Sequence, residues 1–278
     1  MKITTVFAAV AILSIFAFSS AIFQISANAH SPTASTLLSP QILGVTIKSS
    51  MWAGYGVKAL SSGIIKGVSG SWIQQKVTCD SKAATPQGEL DLAALNGVGS
   101  KNNFWAVGTE AFCPKGASSP VYSEYATLNG KAVAMGPKIL IVPGHKYEAY
   151  IQAGTTPNSY NYGLFDISAG KTSAAAVFVV AAVLLYAEII IALLSNTGTY
   201  VPPAAANLIK FGLFFTAIAS TCDYDDDGVD TPIGSSGSSL VIPMSYTMYN
   251  PALTKLYAVP SPLKSDLESY SIAIKATG

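Results

Sequence analysis

Charge is what this chain has least of. Of its 278 residues only 11% are Asp, Glu, Lys or Arg, and the formal net charge is +1. An ordinary soluble domain carries roughly 25% charged residues. Such a balance builds no basic surface, so nucleic acid is excluded as a partner. A surface so poor in charge is covered by Ser, Thr, Gly, Asn and Tyr, or by other protein, which suits an extracellular or assembled molecule. Histidine is almost missing: only His30 and His145 occur. A Ser-His-Asp triad would have to use His145, which follows Pro143-Gly144 and reads as a solvated turn residue, and no G-x-S-x-G accompanies it. Zinc lacks ligands. No glycine motif cradles phosphate, and the Gly234–Gly237 stretch reads as a flexible loop. No Asn-x-Ser/Thr sequon is present. Outside the N-terminal stretch there is no sustained 3.6-residue periodicity with helix caps.

Cysteine is scarce as well. Cys79, Cys113 and Cys222 fit an oxidising compartment with one bridge and one thiol left over. They equally fit three buried small hydrophobes.

What is present begins with Lys2, an apolar run from Val6 to Ile25, and Ala27-Asn28-Ala29. A basic start, an apolar stretch and an A-x-A site read as a Sec signal peptide over residues 1–29. The apolar stretch exceeds the usual length, so a retained anchor is the alternative, and only then would residues 3–25 contact a membrane. Residues 30–50 read as a linker, pro-segment or N-terminal arm, and residues 51–278 as one large domain. The destination is extracellular or the cell surface.

From Trp52 onward, short apolar or alternating runs recur between turn residues, which predicts an all-β fold. Ile139–Val142, Tyr147–Ile151, Leu240–Met248 and Tyr270–Ile274 are examples. In the last, Tyr270, Ile272 and Ile274 fall on one face of a strand. Ala174 to Leu194 is apolar except for Tyr186 and Glu188. Its β-branched clusters, turn-like flanks and central carboxylate favour two strands joined by an apolar connection over a membrane helix.

Trp52-Ala53-Gly54-Tyr55, Val68-Ser69-Gly70-Ser71-Trp72 and Val77-Thr78-Cys79 resemble the opening of bacterial and archaeal glutamic peptidases, the eqolisins. The likeness continues through Gly108-Thr109-Glu110 with Cys113, and Pro120-Val121-Tyr122-Ser123-Glu124-Tyr125. It then runs through Val142-Pro143-Gly144, Ala187-Glu188-Ile189-Ile190-Ile191, Pro202–Asn207 with Phe211-Gly212, and Ala258–Leu263. It spans Trp52 to the end. The resemblance implies a sandwich of two bent antiparallel sheets, a substrate groove on the concave face of one, and a Cys79–Cys113 disulfide.

In that family a glutamate activates water and a glutamine amide positions it and stabilises the oxyanion. The resemblance places the glutamine at Ala106 and the glutamate at Ala192, and a methyl group can do neither job. Around the groove, Trp52 is kept, Leu92 and Tyr125 replace tryptophans, and Asn96 replaces an aspartate. Glu110, Glu124 and Glu188 are the remaining carboxylates. They read either as a relocated acid–base pair or, preferably, as structural groups. No organic cofactor is implied. One metal is suggested: Asp223, Asp225, Asp227, Gly228 and Asp230 form D-x-D-x-D-G-x-D, which reads as a calcium loop or as a solvated acidic turn. The expectation is a secreted, non-catalytic protein that binds a polypeptide or self-associates through an apolar trough beside Ala106 and Ala192. The alternative is an acid-acting endopeptidase with a relocated pair.

Overall fold

The computed structural model describes residues 44–278, apart from 62–64, 98–103, 130, 158, 179–183, 194, 197–198, 201–207, 212–213, 216–218, 221–222, 227–228, 236–240, 251, 268 and 276–278. The signal or anchor, most of the expected arm, and Cys222 lie outside the described residues.

Every described element is a strand. The first ten are β1 (Val45–Ser49), β2 (Trp52–Ala59), β3 (Ile65–Ile73), β4 (Gln87–Gly97), β5 (Phe104–Cys113), β6 (Val121–Leu128), β7 (Lys131–Ala132), β8 (Lys146–Ala153), β9 (Ser159–Asp166) and β10 (Lys171–Phe178). Then follow β11 (Leu184–Leu193), β12 (Ser195–Asn196), β13 (Thr199–Tyr200), β14 (Leu208–Phe211), β15 (Phe214–Phe215) and β16 (Ala219–Ser220). The last are β17 (Asp223–Asp226), β18 (Val229–Pro232), β19 (Val241–Tyr249), β20 (Leu256–Pro260) and β21 (Tyr270–Ile274).

One layer runs β1-β19-β2-β11-β4-β5-β6-β7. The facing layer runs β18-β17-β3-β8-β9-β10, and β20, β21 and β14 join the two. Pairing is antiparallel except between β1 and β19, which run parallel. The expected arm therefore ends in a strand of the domain's own sheet. Ala174–Leu194 forms two strands, as expected. Ile139–Val142 does not form one: it is unpaired main chain, with Met135, Ile139 and Ile141 buried in the inter-sheet core.

Alternation builds the core. Ala53, Tyr55 and Val57 of β2 face Val68 and Trp72 of β3 and Tyr147, Ala149 and Ile151 of β8, along with Ala187, Ile189 and Ile191 of β11. Trp72 donates its indole N–H to Thr109 Oγ1 at 2.8 Å, and Tyr270 donates its hydroxyl to the Ile189 carbonyl at 2.5 Å. These bonds satisfy buried polar groups and lock the layers in register. The Cys79–Cys113 disulfide staples the 74–86 connection to the end of β5.

His145 is not simply solvated: its Nδ1 lies 2.9 Å from Asp166 Oδ2, with the imidazole one-third exposed and the carboxylate buried. A histidine at the start of β8 meets the end of β9 because the hairpin register places Tyr147 opposite Asp166.

The acidic segment is a hairpin. Asp223–Asp226 pairs with Val229–Pro232, setting Asp225 opposite Asp230. Its paired backbone is extended rather than wound like a calcium loop, and Asp227 and Gly228 lie outside the described residues. Among the described residues no three potential ligands cluster.

Candidate functional site

The outer face of the β19-β2-β11-β4-β5-β6 layer is assembled by five strand registers. Reading across, one row is Met244, Gly56, Glu188, Ala94, Ala106 and Thr127. The next is Tyr246, Gly54, Ile190, Leu92, Gly108 and Tyr125, and beyond it lie Trp52, Ala192, Leu90, Glu110 and Ser123. On the other side of the first row come Lys58, Tyr186, Asn96 and Phe104. All four groove positions anticipated from the sequence, Trp52, Leu92, Asn96 and Tyr125, therefore belong to one face.

These registers set the spacing of the two expected dyad positions. Ala106 and Ala192 are two strands apart and four residues offset, which puts their Cα atoms about 17 Å from each other at ordinary strand spacings. No single water spans that gap. The residue of β11 in register with Ala106 is Glu188, about 10 Å away across Ala94, a gap that two long side chains can close between them. A carboxylate thus stands in register with Ala106.

The three residual carboxylates do not converge. Glu110 lies on the outer face about 17 Å from Glu188 by the same spacing, and Ser123 Oγ donates to it at 2.5 Å. Glu124 sits on the opposite face of β6, paired with Thr109, where its Oε2 accepts the Ile139 N–H at 3.4 Å. Pleating, which sends successive residues to opposite faces, is the reason.

Nor is the trough open. Ala106 is 0% and Ala192 4% exposed, and Leu90, Leu92, Ala94, Ile190, Met244 and Tyr246 are buried with them. Ile47, Trp52, Phe104, Tyr125 and Tyr186 pack over this second cluster. Trp52 and Phe104 stack with ring centroids 5.5 Å apart. The expected binding trough is, in this conformation, a second core.

Glu188 is sealed inside it at 2% exposure, with Oε2 unpartnered. Burial pushes its pKa up to about 7, and a hydrogen bond with Tyr246 only partly offsets that rise. The same desolvation and the neighbouring Glu188 push Tyr246 well above the ordinary tyrosine range. Gly56 makes the pairing possible, because a Cβ there would lie 3.0 Å from Glu188 Cγ and 3.3 Å from the Tyr246 ring. A protonated acid held by a tyrosine can donate or accept one hydrogen bond, but water does not reach it in this closed form.

Sequence reasoning missed Glu89 and Asp91. They lie on the other face of β4, between the layers, at 1% and 0% exposure. Burial pushes Asp91 up to about 8, and burial with the Asp91 charge pushes Glu89 well above the carboxylate range. The signal available was Glu89-Leu90-Asp91-Leu92, an alternation that reads as a solvated polar face.

An open cavity of about 540 Å³ flanks this layer, lined by Glu124, Tyr125, Thr127, Val133, Met135 and Lys138 among others. It runs along β6. Val133 N–H donates to the Ala126 carbonyl, so alternate residues Glu124 and Tyr122 turn their main-chain groups to that same edge. Among the described residues no strand pairs with that stretch.

No protein-family profile matches this chain, and no curated protein matches it in sequence. Solved structures do match in fold. A crystal structure of scytalido-glutamic peptidase with a transition-state analogue inhibitor aligns with a TM-score of 0.59 at 13% identity, over 82% of this chain and 99% of that one. SCP-B, a member of the eqolisin family in complex with the tripeptide Ala-Ile-His, aligns with a TM-score of 0.55 at 13% identity, over 81% of this chain and 100% of that one. The architecture is that of the glutamic peptidases.

Proposed function

We propose that this chain is an exported, non-catalytic protein on the glutamic-peptidase fold that binds extended polypeptide. One observation carries the reading: the position across from Glu188 is Ala106, a methyl group with no exposed surface. Without an amide there, the side chain at that position neither positions a water nor holds an oxyanion opposite the carboxylate. The Cys79–Cys113 disulfide fits an oxidising compartment. Of the two fold neighbours described above, one was solved with a transition-state analogue inhibitor and the other with the tripeptide Ala-Ile-His.

With the floor sealed, the polypeptide is assigned to the β6 edge. Among the described residues no strand pairs with the outer edge of β6 at Tyr122 and Glu124, which suits strand addition, and the adjoining cavity takes alternate side chains. Exposed Val121 and Leu140 give that edge apolar character. Self-association through the same edge is the homotypic form of this reading. Calcium at the Asp223–Asp230 hairpin belongs to the proposal too, and unfolding temperatures identical in calcium and in chelator would remove it.

A second reading, an acid-acting endopeptidase with a relocated pair, draws on Glu188, whose raised pKa suits acid–base work. Purified protein incubated with casein at acid pH separates the two. The expected result is no cleavage, together with binding of labelled unfolded casein that weakens about tenfold (1.4 kcal/mol) in Tyr125→Ala. Cleavage that disappears in Glu188→Gln would overturn the non-catalytic reading.

A further inference from the structure

Glu89 and Asp91 are the least explained groups in the molecule. Two residues apart on the central strand β4, they project into the space between the layers, and none of their four carboxylate oxygens has a hydrogen-bond partner. Asp91 lies between Thr109 of β5 and Ile191 of β11, and Glu89 between Ala111 and Leu193. Thr109 is already engaged as acceptor for the Trp72 indole.

Among the described residues on the inward faces of β3, β5, β8 and β11 there is no lysine. β3 contributes Val68 and Trp72, β8 contributes Tyr147 and Ala149, and β11 contributes Ala187, Ile189 and Ile191. β5 adds Thr109 and Ala111. The titratable groups on these inward faces are Tyr147 and, from β6, Tyr122 and Glu124; the His145–Asp166 pair lies at the margin, beside Tyr147. Tyr122 accepts the Val77 N–H and Tyr147 accepts the Val142 N–H. The chain contains no arginine at all, and its sixteen basic side chains are all lysines. A buried carboxylate with neither partner nor counter-ion is tolerated only when it keeps its proton.

We propose that Glu89 and Asp91 are an acid lock: both protonated, they let the two layers close, and their ionisation works against closure, so that the fold is most stable in acid and weakens toward alkaline pH. The sign follows from linkage. The unfolded chain releases these protons near pH 4, whereas the folded chain holds that of Asp91 up to about pH 8. Across that window the folded state binds more protons, so stability falls as pH rises. The folding equilibrium constant loses up to about tenfold per pH unit for each such group, and levels off above the folded-state values. This inference is independent of what the outer face binds.

The test uses full-length protein and the isosteric double variant Glu89→Gln/Asp91→Asn. Thermal unfolding from pH 3 to pH 9 should show the parent's midpoint falling steadily above about pH 5. The variant should lose at least half of that slope, whatever its absolute stability. A parent midpoint that is flat or rises from pH 5 to pH 8 overturns the proposal, as does a variant with the parent's slope. Should the double variant not fold, infrared difference spectra of Glu188→Gln, which lacks the other buried carboxyl with a raised pKa, decide. A protonated-carboxyl carbonyl band at pH 6 that fades by pH 9 supports the lock, and its absence at pH 6 overturns it.

Discussion

Ala106→Gln places an amide in register with Glu188 and tests the closed second core directly. The site has no exposed surface, and its row neighbours are Ala94 and Thr127. Four added heavy atoms must be accommodated in a packed cluster, which costs about 1–3 kcal/mol in comparable cores. The amide also needs partners. The unpartnered Oε2 of Glu188 is one, about 10 Å away between Cα atoms, and a hydrogen bond there returns about 1 kcal/mol of the amide's burial cost. The net expectation is a loss of about 1–3 kcal/mol. For a domain of this size each kcal/mol moves the midpoint by about 2–4 °C, so differential scanning at pH 4 should show a drop of several degrees. Casein cleavage at the same pH should remain absent, because the cover of Trp52, Phe104 and Tyr125 stays in place. An unchanged or raised midpoint would refute the claim that the face is closed. Cleavage gained by Ala106→Gln and lost again in Ala106→Gln/Glu188→Gln would show that the cover opens.

Three further outcomes follow from the same geometry. Gly108→Ala should fail to accumulate as folded protein or unfold far earlier than the parent, because its Cβ would overlap the Asp91 carbonyl oxygen of the neighbouring strand; soluble yield and circular dichroism check this. Cys113→Ser opens a loop of 34 residues and should cost about 3.8 kcal/mol in the chain-entropy account, read by denaturant unfolding of the parent and variant under non-reducing conditions. Glu188→Gln removes a group whose folded pKa is raised to about 7. The parent loses stability as pH climbs from the unfolded value toward 7, so the variant should gain up to about 3 kcal/mol on the parent between pH 4 and pH 8. A constant difference across that range would refute the burial argument.

Much of the fold was legible because strands announce themselves through a period of two. Tyr270–Ile274 and the two strands within Ala174–Leu194 were read from β-branched runs and flanking turns, and both formed. Ile139–Val142 carries the same signature and formed no strand. Its apolar side chains are wanted in the core, but no neighbouring strand offers it a ladder. The order of the motifs along the chain led to the right architecture. It leaves the geometry at Ala106 and Ala192 open, since motif order says nothing about which residue of β11 stands across from which residue of β5. Only the pairing register does, and it selects Glu188.

The amino-acid sequence by itself determined that this is an all-β molecule, because pleat period is a local property. Which polar face is wet was decided elsewhere. Glu89-Leu90-Asp91-Leu92 looks like any half-solvated strand, and its acids are dry only because a second layer lies over them. Burial belongs to the packed layers rather than to the strand, so the carboxylates that govern this protein's response to pH appear only once both sheets are in place.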